Sequence, residues 1–136
     1  INLNGRGERG KFQNPYFNFD SAAGIIYEVS TVKDYGERIT IKSMANGDDF
    51  IPEKKYLVAL SSYRANGGGD ILLNGSKLTK DVVEKRVVKK LGDIREILYE
   101  QIKRDGFIKA VPLNHWKFVP DKESSNHINN DLDLLF

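Results

Sequence analysis

Apolar and polar positions first form a regular pattern between residues 25 and 42. Residues 25–29 are mostly apolar, and residues 38–42 alternate polar and apolar side chains, as a strand with one buried face does. The segment between them, residues 34–36, ends in Gly36 and carries a turn signal. The pattern therefore predicts two antiparallel strands joined as a hairpin.

A second apolar pattern precedes a run of three glycines. Asn46-Gly47 is a strong turn signal and Pro52 excludes pairing in a central strand, whereas residues 56–60 form a continuous apolar run. Such a run is typical of a strand buried on both faces. We expect the glycine loop to begin at the carboxyl end of that strand, which is where α/β proteins gather their ligands.

The second half of the chain shows a helical period. Asp93 is a good N-cap for a helix that Gly106 can end. Its apolar face, which we expect to pack on the sheet, consists of Ile94, Ile97, Leu98 and Ile102. Residues 79–91 leave two interpretations open, a short helix capped by Thr79 or a strand around residues 86–88, and a short helix followed by a strand accommodates both.

Both ends of the chain lack a regular pattern. Pro15 interrupts the first twenty residues, and we expect this arm to be anchored by its rings, which are Phe12, Tyr16, Phe17 and Phe19. Residues 107–111 and 116–119 are predicted as short extended pieces. Residues 121–136 are predicted to be a C-terminal tail, so residues 1–120 form the folded part.

Composition narrows the class of protein. A chain of 136 residues with 40% apolar content has the size of one domain, and the absence of cysteine excludes disulfides and thiolate chemistry. The net charge is +2, and we interpret the basic cluster at residues 85–90 as a solvated face. No apolar run is long enough for a membrane span, and the polar start at Ile1 is no signal peptide. We expect a mature exported chain or an excised part of a longer one.

Residues for catalysis are not clustered in the sequence. His115 and His127 are far apart and no cysteine accompanies them, so we predict no metal ligand. Ser61 and Ser62 lack a neighbouring base, and the glycine run lacks the lysine and hydroxyl residue of a phosphate-binding loop. We predict no catalytic residue in this chain and interpret His115 as a packing or surface residue.

The glycine loop is the strongest candidate for a binding site. Three consecutive glycines cost backbone entropy, so they suit positions with unusual backbone angles or a closely approaching ligand. The candidate substrate-binding residues are Tyr63, Asn66, Gly67, Gly68, Gly69 and Asp70. Tyr63 offers a ring for stacking on a base, Asn66 can bind a base edge, and Asp70 can accept hydrogen bonds from ribose. The alternatives for these three side chains are a core tyrosine, a left-handed turn asparagine and a helix-capping aspartate.

Several short motifs occur in a distinctive order. They are Asn18-Phe19-Asp20, Gly24-Ile25-Ile26-Tyr27-Glu28-Val29, Gly36-Glu37-Arg38-Ile39, Tyr56-Leu57-Val58-Ala59, Ser62-Tyr63-Arg64-Ala65-Asn66-Gly67-Gly68-Gly69, Asp93-Ile94-Arg95 and Asn114-His115-Trp116-Lys117-Phe118-Val119-Pro120. From about Tyr16 to Pro120, this order resembles the carboxyl-terminal domain of the bacterial 5'-nucleotidase superfamily. Within that superfamily it is most similar to the 2',3'-cyclic-nucleotide 2'-phosphodiesterase/3'-nucleotidase branch.

The resemblance implies a fold and a division into domains. The fold would be α/β (α+β), like the 5'-nucleotidase carboxyl-terminal domain, with a mixed sheet, an antiparallel hairpin and packed helices. Residues 1–120 would be the latter part of that domain. An upstream metallophosphatase domain with two divalent metal ions, and the first part of the carboxyl-terminal domain, would lie outside this chain. Tyr63 would form one side of an aromatic sandwich around the base and Asp70 would bind ribose. Related 5'-nucleotidases have two glycines before this acid, whereas three precede Asp70.

The sequence thus predicts the nucleoside-recognition part of a metal-dependent nucleotidase, a hydrolase of nucleotide catabolism. Its partners would be a nucleotide or nucleoside and the missing domains, without nucleic acid and without a membrane span. We expect a periplasmic, cell-envelope or secreted location, and we expect this chain alone to be inactive. The alternative is a non-catalytic nucleotide-binding or interaction module.

Overall fold

The computed structural model describes residues 18–135, and the side chains of residues 18–133. Its elements are β1 (Ile25–Ser30), β2 (Ile39–Met44), α1 (Ser62–Ala65), α2 (Lys80–Arg86), α3 (Ile94–Asp105), β3 (Trp116–Val119) and α4 (Asp121–Leu135). A 3-10 turn at Gly68–Asp70 and a π-helical turn at Ile71–Gly75 lie between α1 and α2. The described residues form two compact units, one from residues 18–54 and 112–135, the other from residues 55–111. The chain is therefore a mixed α and β protein.

The first unit is built on a three-stranded mixed sheet in the order β2-β1-β3. Strands β1 and β2 are antiparallel, with an irregularity in register between Ile26 and Tyr27, whereas β3 runs parallel to β1 and pairs Tyr27 with Trp116. In the turn between β1 and β2, the Glu37 amide donates to the Asp34 carbonyl at 3.1 Å. The predicted hairpin and its turn are confirmed.

Aromatic side chains surround Tyr27 near the middle of this sheet. Tyr27 is 6% exposed and is the buried hydrophobic residue of the described part of the chain. Its ring is nearly parallel to that of Trp116, with centroids 6.0 Å apart, and Phe118 meets Trp116 edge-on at 5.2 Å. Phe19 reaches the same tryptophan at 5.8 Å. The other rings of the predicted aromatic arm, Phe12, Tyr16 and Phe17, lie outside the described residues.

The segment predicted as a tail is the helix α4, and its first turn is fixed to the sheet. The Ser124 amide donates to the Pro120 carbonyl at 2.9 Å, and its hydroxyl lies 3.1 Å from the Thr31 hydroxyl. Thr31 in turn donates from its amide to the Val119 carbonyl at 2.9 Å. Because Thr31 follows β1 and Val119 ends β3, these bonds hold the start of α4 beside the ends of both strands.

Glu28 carries charge on the exposed surface of the sheet. Its carboxylate oxygens lie 3.6 Å from the Lys42 ammonium of β2 and 3.7 Å from the Lys117 ammonium of β3. Both lysine side chains are more than half exposed, so each ion pair contributes at most about 1 kcal/mol. The network fits the pairing of three strands but does not explain the stability of the sheet.

Helices α2 and α3 of the second unit begin where their capping residues predicted. The Thr79 hydroxyl accepts from the Val82 amide at 3.4 Å, and the Asp93 carboxylate accepts from the Arg95 amide at 2.7 Å. Gly106 ends α3 with a left-handed φ of 76°. These cap predictions are confirmed, because a cap is a hydrogen bond within one turn and depends little on distant residues.

The strands predicted for the second unit are wrong. Residues 56–60 and 87–88 are neither strand nor helix, and Leu57 and Val58 are 85% and 73% exposed. A strand needs a hydrogen-bonding neighbour, and all three strands of the described residues belong to the first unit. The predicted burial of the apolar face of α3 is also wrong, because all four of its side chains are exposed.

We predict that Tyr27→Ala lowers the free energy of unfolding by about 3 kcal/mol, because it removes the buried ring on which the aromatic cluster packs. Urea denaturation followed by circular dichroism measures the change. Tyr35→Ala is the matched control, since Tyr35 is 92% exposed, and its effect stays within about 0.5 kcal/mol. Equal losses for the two variants would contradict a structural role for Tyr27.

Candidate functional site

The candidate site begins in a single turn of helix, α1, and the strand predicted before it at residues 56–60 is not formed. Ser61 caps this helix, α1, with its hydroxyl accepting from the Arg64 amide at 3.3 Å. The Asn66 amide donates to the Ser62 carbonyl at 2.9 Å, and the Gly67 amide donates to the Arg64 carbonyl at 3.0 Å. Tyr63 therefore starts from a hydrogen-bonded turn, which fixes the backbone from which its ring extends.

The three glycines of the loop serve two different purposes. Gly67 and Gly69 have φ angles of 96° and 72°, which residues with a Cβ rarely adopt. Gly68 has no positive φ, but a Cβ at this position would lie 2.5 Å from the Tyr63 ring. Two glycines thus allow the loop to turn, while the third lets an aromatic ring lie directly against the backbone.

The Tyr63 ring lies on the surface and has two neighbours, Gly68 of the loop and Arg64 of the same helix, α1. Its side chain is 57% exposed, and the Arg64 guanidinium carbon lies 5.3 Å from the ring centroid. Arg64 also donates from Nη1 to the Gly68 carbonyl at 3.1 Å. These contacts hold the ring beside the loop and leave more than half of it open to solvent, which argues against the core-tyrosine alternative.

Asn66 and Asp70 are both exposed at the ends of the glycine run. Asn66 has a φ of −85°, so it is not the left-handed turn residue of the alternative interpretation. Asp70 has a left-handed φ of 59°, and its side chain makes no capping hydrogen bond to the turn that follows. Its amide donates to the Gly67 carbonyl at 3.1 Å, which closes the loop. All six candidate residues therefore lie in one short segment of the second unit, from α1 to the 3-10 turn, and the Tyr63 ring lies against Gly68.

Arg64 of α1 is a residue of the candidate site for which no role was predicted. It joins the Tyr63 ring to the Gly68 carbonyl, although nothing in the sequence shows which way its long side chain turns. The sequence signal for this contact is the spacing of the residues. Arg64 directly follows Tyr63 and precedes Gly68 by four residues, which is about one helical turn. A guanidinium also stacks well on aromatic faces, which favours this arrangement.

The histidines and serines that could take part in catalysis belong to the first unit or have structural roles. His115, in the first unit, has both ring nitrogens buried without a hydrogen-bond partner among the described residues, and its ring is 6.1 Å from that of Tyr27. His127 is exposed on α4. Ser61 caps α1, and no group of three His, Asp or Glu residues within the described range could hold a metal ion. We therefore assign no catalytic group to the glycine loop.

Comparison of this chain with protein-family models, curated proteins and solved structures found no match. Within residues 18–135, no helix has the length and apolar content that a membrane span requires. We therefore infer function from the geometry of the loop and from the resemblance of the sequence motifs.

We predict that Gly68→Ala displaces the Tyr63 ring, because the new methyl group would lie only 2.5 to 2.6 Å from three ring carbons. The exposed ring can move outward, so the loss of stability is about 1 kcal/mol, at the low end for overpacking. The ring-proton chemical shifts of Tyr63 measure the displacement. Gly92→Ala is the control, because the nearest atom to its Cβ is 3.8 Å away. Unchanged Tyr63 shifts in Gly68→Ala would contradict the contact.

Proposed function

We propose that this chain is the nucleoside-recognition part of a metal-dependent nucleotidase, with a fold like the 5'-nucleotidase carboxyl-terminal domain. The observation that carries the proposal is the Tyr63 ring, which lies against the bare backbone of Gly68 while 57% of the side chain remains exposed. A half-open ring on a hydrogen-bonded turn is the kind of surface on which a nucleobase stacks. The motif order that resembles the 5'-nucleotidases supports the same ligand class.

The contacts of Tyr63 favour stacking because they restrict the ring before a ligand arrives. An aromatic ring that is already positioned loses less side-chain entropy on binding than a mobile one. Gly68 limits the ring on one side, and Arg64 lies near it while bonded to the loop backbone. Stacking of a base on such a ring is worth about 1–3 kcal/mol. The loop can therefore hold a nucleoside through its base without depending on a deep cavity.

Polar groups near the glycine run can complete the recognition. Asn66 presents an amide with donor and acceptor atoms, and Asp70 presents a carboxylate that accepts hydrogen bonds from hydroxyl groups. Both side chains are exposed, so they can exchange water for a ligand without first losing a buried partner. We assign Asn66 to a base edge and Asp70 to ribose hydroxyls, with the backbone of Gly67, Gly68 and Gly69 making room for the nucleoside.

Hydrolysis in this proposal belongs to a separate metallophosphatase domain. That domain would supply two divalent metal ions, which activate water and polarise a phosphate ester. The described residues of this chain contain no group of side chains that could hold a metal ion, so we assign them no step of the hydrolysis. Their proposed task is to bind and orient the nucleoside in an exported nucleotidase of the periplasm or cell envelope.

We expect Tyr63→Ala to weaken adenosine binding about 5- to 150-fold, which corresponds to the loss of about 1–3 kcal/mol of stacking. Isothermal titration calorimetry of the chain with adenosine measures the change. Tyr63→Phe keeps the ring and binds like the parent, whereas Tyr35→Ala removes an exposed tyrosine of the first unit and also leaves binding intact. Unchanged affinity in Tyr63→Ala would reject the stacking role.

A second expectation concerns catalysis by the chain alone. Incubation with 3'-AMP or 2',3'-cyclic AMP and added Mg²⁺ or Mn²⁺ should release no inorganic phosphate, because the metal ligands are assigned to another domain. A phosphate assay at high protein concentration measures this directly. Metal-dependent release of phosphate by this chain would contradict the assignment of hydrolysis to a separate domain. The adenosine-binding result does not depend on that outcome.

A further inference from the structure

A basic segment of the second unit has no role in the nucleoside site. It comprises Lys85, Arg86, Val87, Val88, Lys89, Lys90 and Leu91. Four of these seven residues are positively charged, and no acid occurs between Glu84 and Asp93. The segment starts in the last turn of α2 and continues into residues 87–91, which form neither helix nor strand.

The charges of the basic segment are not neutralised by the described part of the protein. All four basic side chains are exposed, and none forms an ion pair with residues 18–133. Lys85 and Arg86 suit the carboxyl end of α2, where cations interact favourably with the helix dipole. Lys89 and Lys90 lie beyond that helix, so the dipole does not explain them. The positive charge is therefore available to an anionic partner.

The apolar residues of the same segment are also exposed. Val88 and Leu91 are 78% and 65% exposed, and they flank Lys89 and Lys90 in the sequence. Exposed aliphatic side chains beside unpaired positive charges suit a partner that offers both anionic groups and hydrocarbon. A nucleic acid offers the charge and flat bases, which stack on aromatic rings, but the basic segment contains no aromatic residue.

We propose that the basic segment binds the surface of an anionic lipid membrane. The lysines and Arg86 would meet the headgroups, and Val88 and Leu91 would enter the boundary between headgroups and acyl chains. Each basic residue near an anionic surface raises partitioning about fivefold, and buried aliphatic carbons add to this. The binding is peripheral and reversible, and it uses residues other than the six assigned to the nucleoside.

Sedimentation with lipid vesicles tests the proposal on the intact chain. We expect the chain to sediment with mixed phosphatidylserine and phosphatidylcholine vesicles and to remain in solution with phosphatidylcholine alone. Lys89→Gln with Lys90→Gln should lower the partitioning of the chain to the mixed vesicles about 25-fold, because each lost charge lowers it about fivefold. The matched control is Lys33→Gln with Lys122→Gln, which removes the same charge from exposed positions of the first unit and retains most of the binding.

The apolar residues provide the test that separates a membrane from a nucleic acid. Val88→Ser with Leu91→Ser keeps all four charges, so lower partitioning to the mixed vesicles supports the proposal. Equal sedimentation with both kinds of vesicle would overturn it, and so would a control variant that loses as much binding as the Lys89 and Lys90 variant. If the chain bound single-stranded DNA more tightly than the mixed vesicles, and the serine substitutions did not change the DNA affinity, the basic segment would be a nucleic-acid surface instead. The lysine and serine variants of the basic segment should bind adenosine with unchanged affinity. A failure of the membrane proposal can therefore be distinguished from a failure of the nucleoside proposal.

Discussion

The pairing of β1 on both of its edges is the interaction on which the first unit depends. Tyr27 pairs across β1 with Ile41 of β2 and with Trp116 of β3, and its ring is buried among aromatic neighbours. The pairing with β3 joins residues far apart in the sequence, so its loop-closure entropy must be offset by the packing of those rings. Once the two strands meet, the start of α4 is held by bonds from their ends. The second unit occupies the chain between β2 and β3.

The glycine loop illustrates a different kind of constraint, in which the backbone determines a side chain. Left-handed angles at Gly67 and Gly69 turn the chain back toward Tyr63, and Gly68 supplies the bare surface that its ring contacts. Arg64 connects the same ring to the loop carbonyl. A substitution at Gly68 would act through the ring, whereas substitutions at the other two glycines would act through backbone strain. This local geometry fixes the position of the Tyr63 ring in the proposed nucleoside-binding surface.

The sequence predicted different parts of this structure with different success, and the reason is the range of the interactions. Asn46-Gly47, Thr79 and Asp93 marked turns and caps that form within a few residues, and the structure has them. The apolar run at residues 56–60 matched the pattern of a buried strand, yet residues 57–60 are exposed. Pattern reports which side chains are apolar but does not supply the neighbouring strand that would pair and bury them.

The sequence by itself determined the hairpin, the start of α2, both ends of α3, and the presence of an aromatic residue beside three glycines. These features rest on backbone preferences and hydrogen bonds within single turns. Only the tertiary structure decided that β3 is the parallel partner of β1, that the last segment is a helix bonded to the sheet, and that Tyr63 contacts Gly68. Each of these outcomes depends on where a side chain or strand lies in space, and residue order alone does not specify that position.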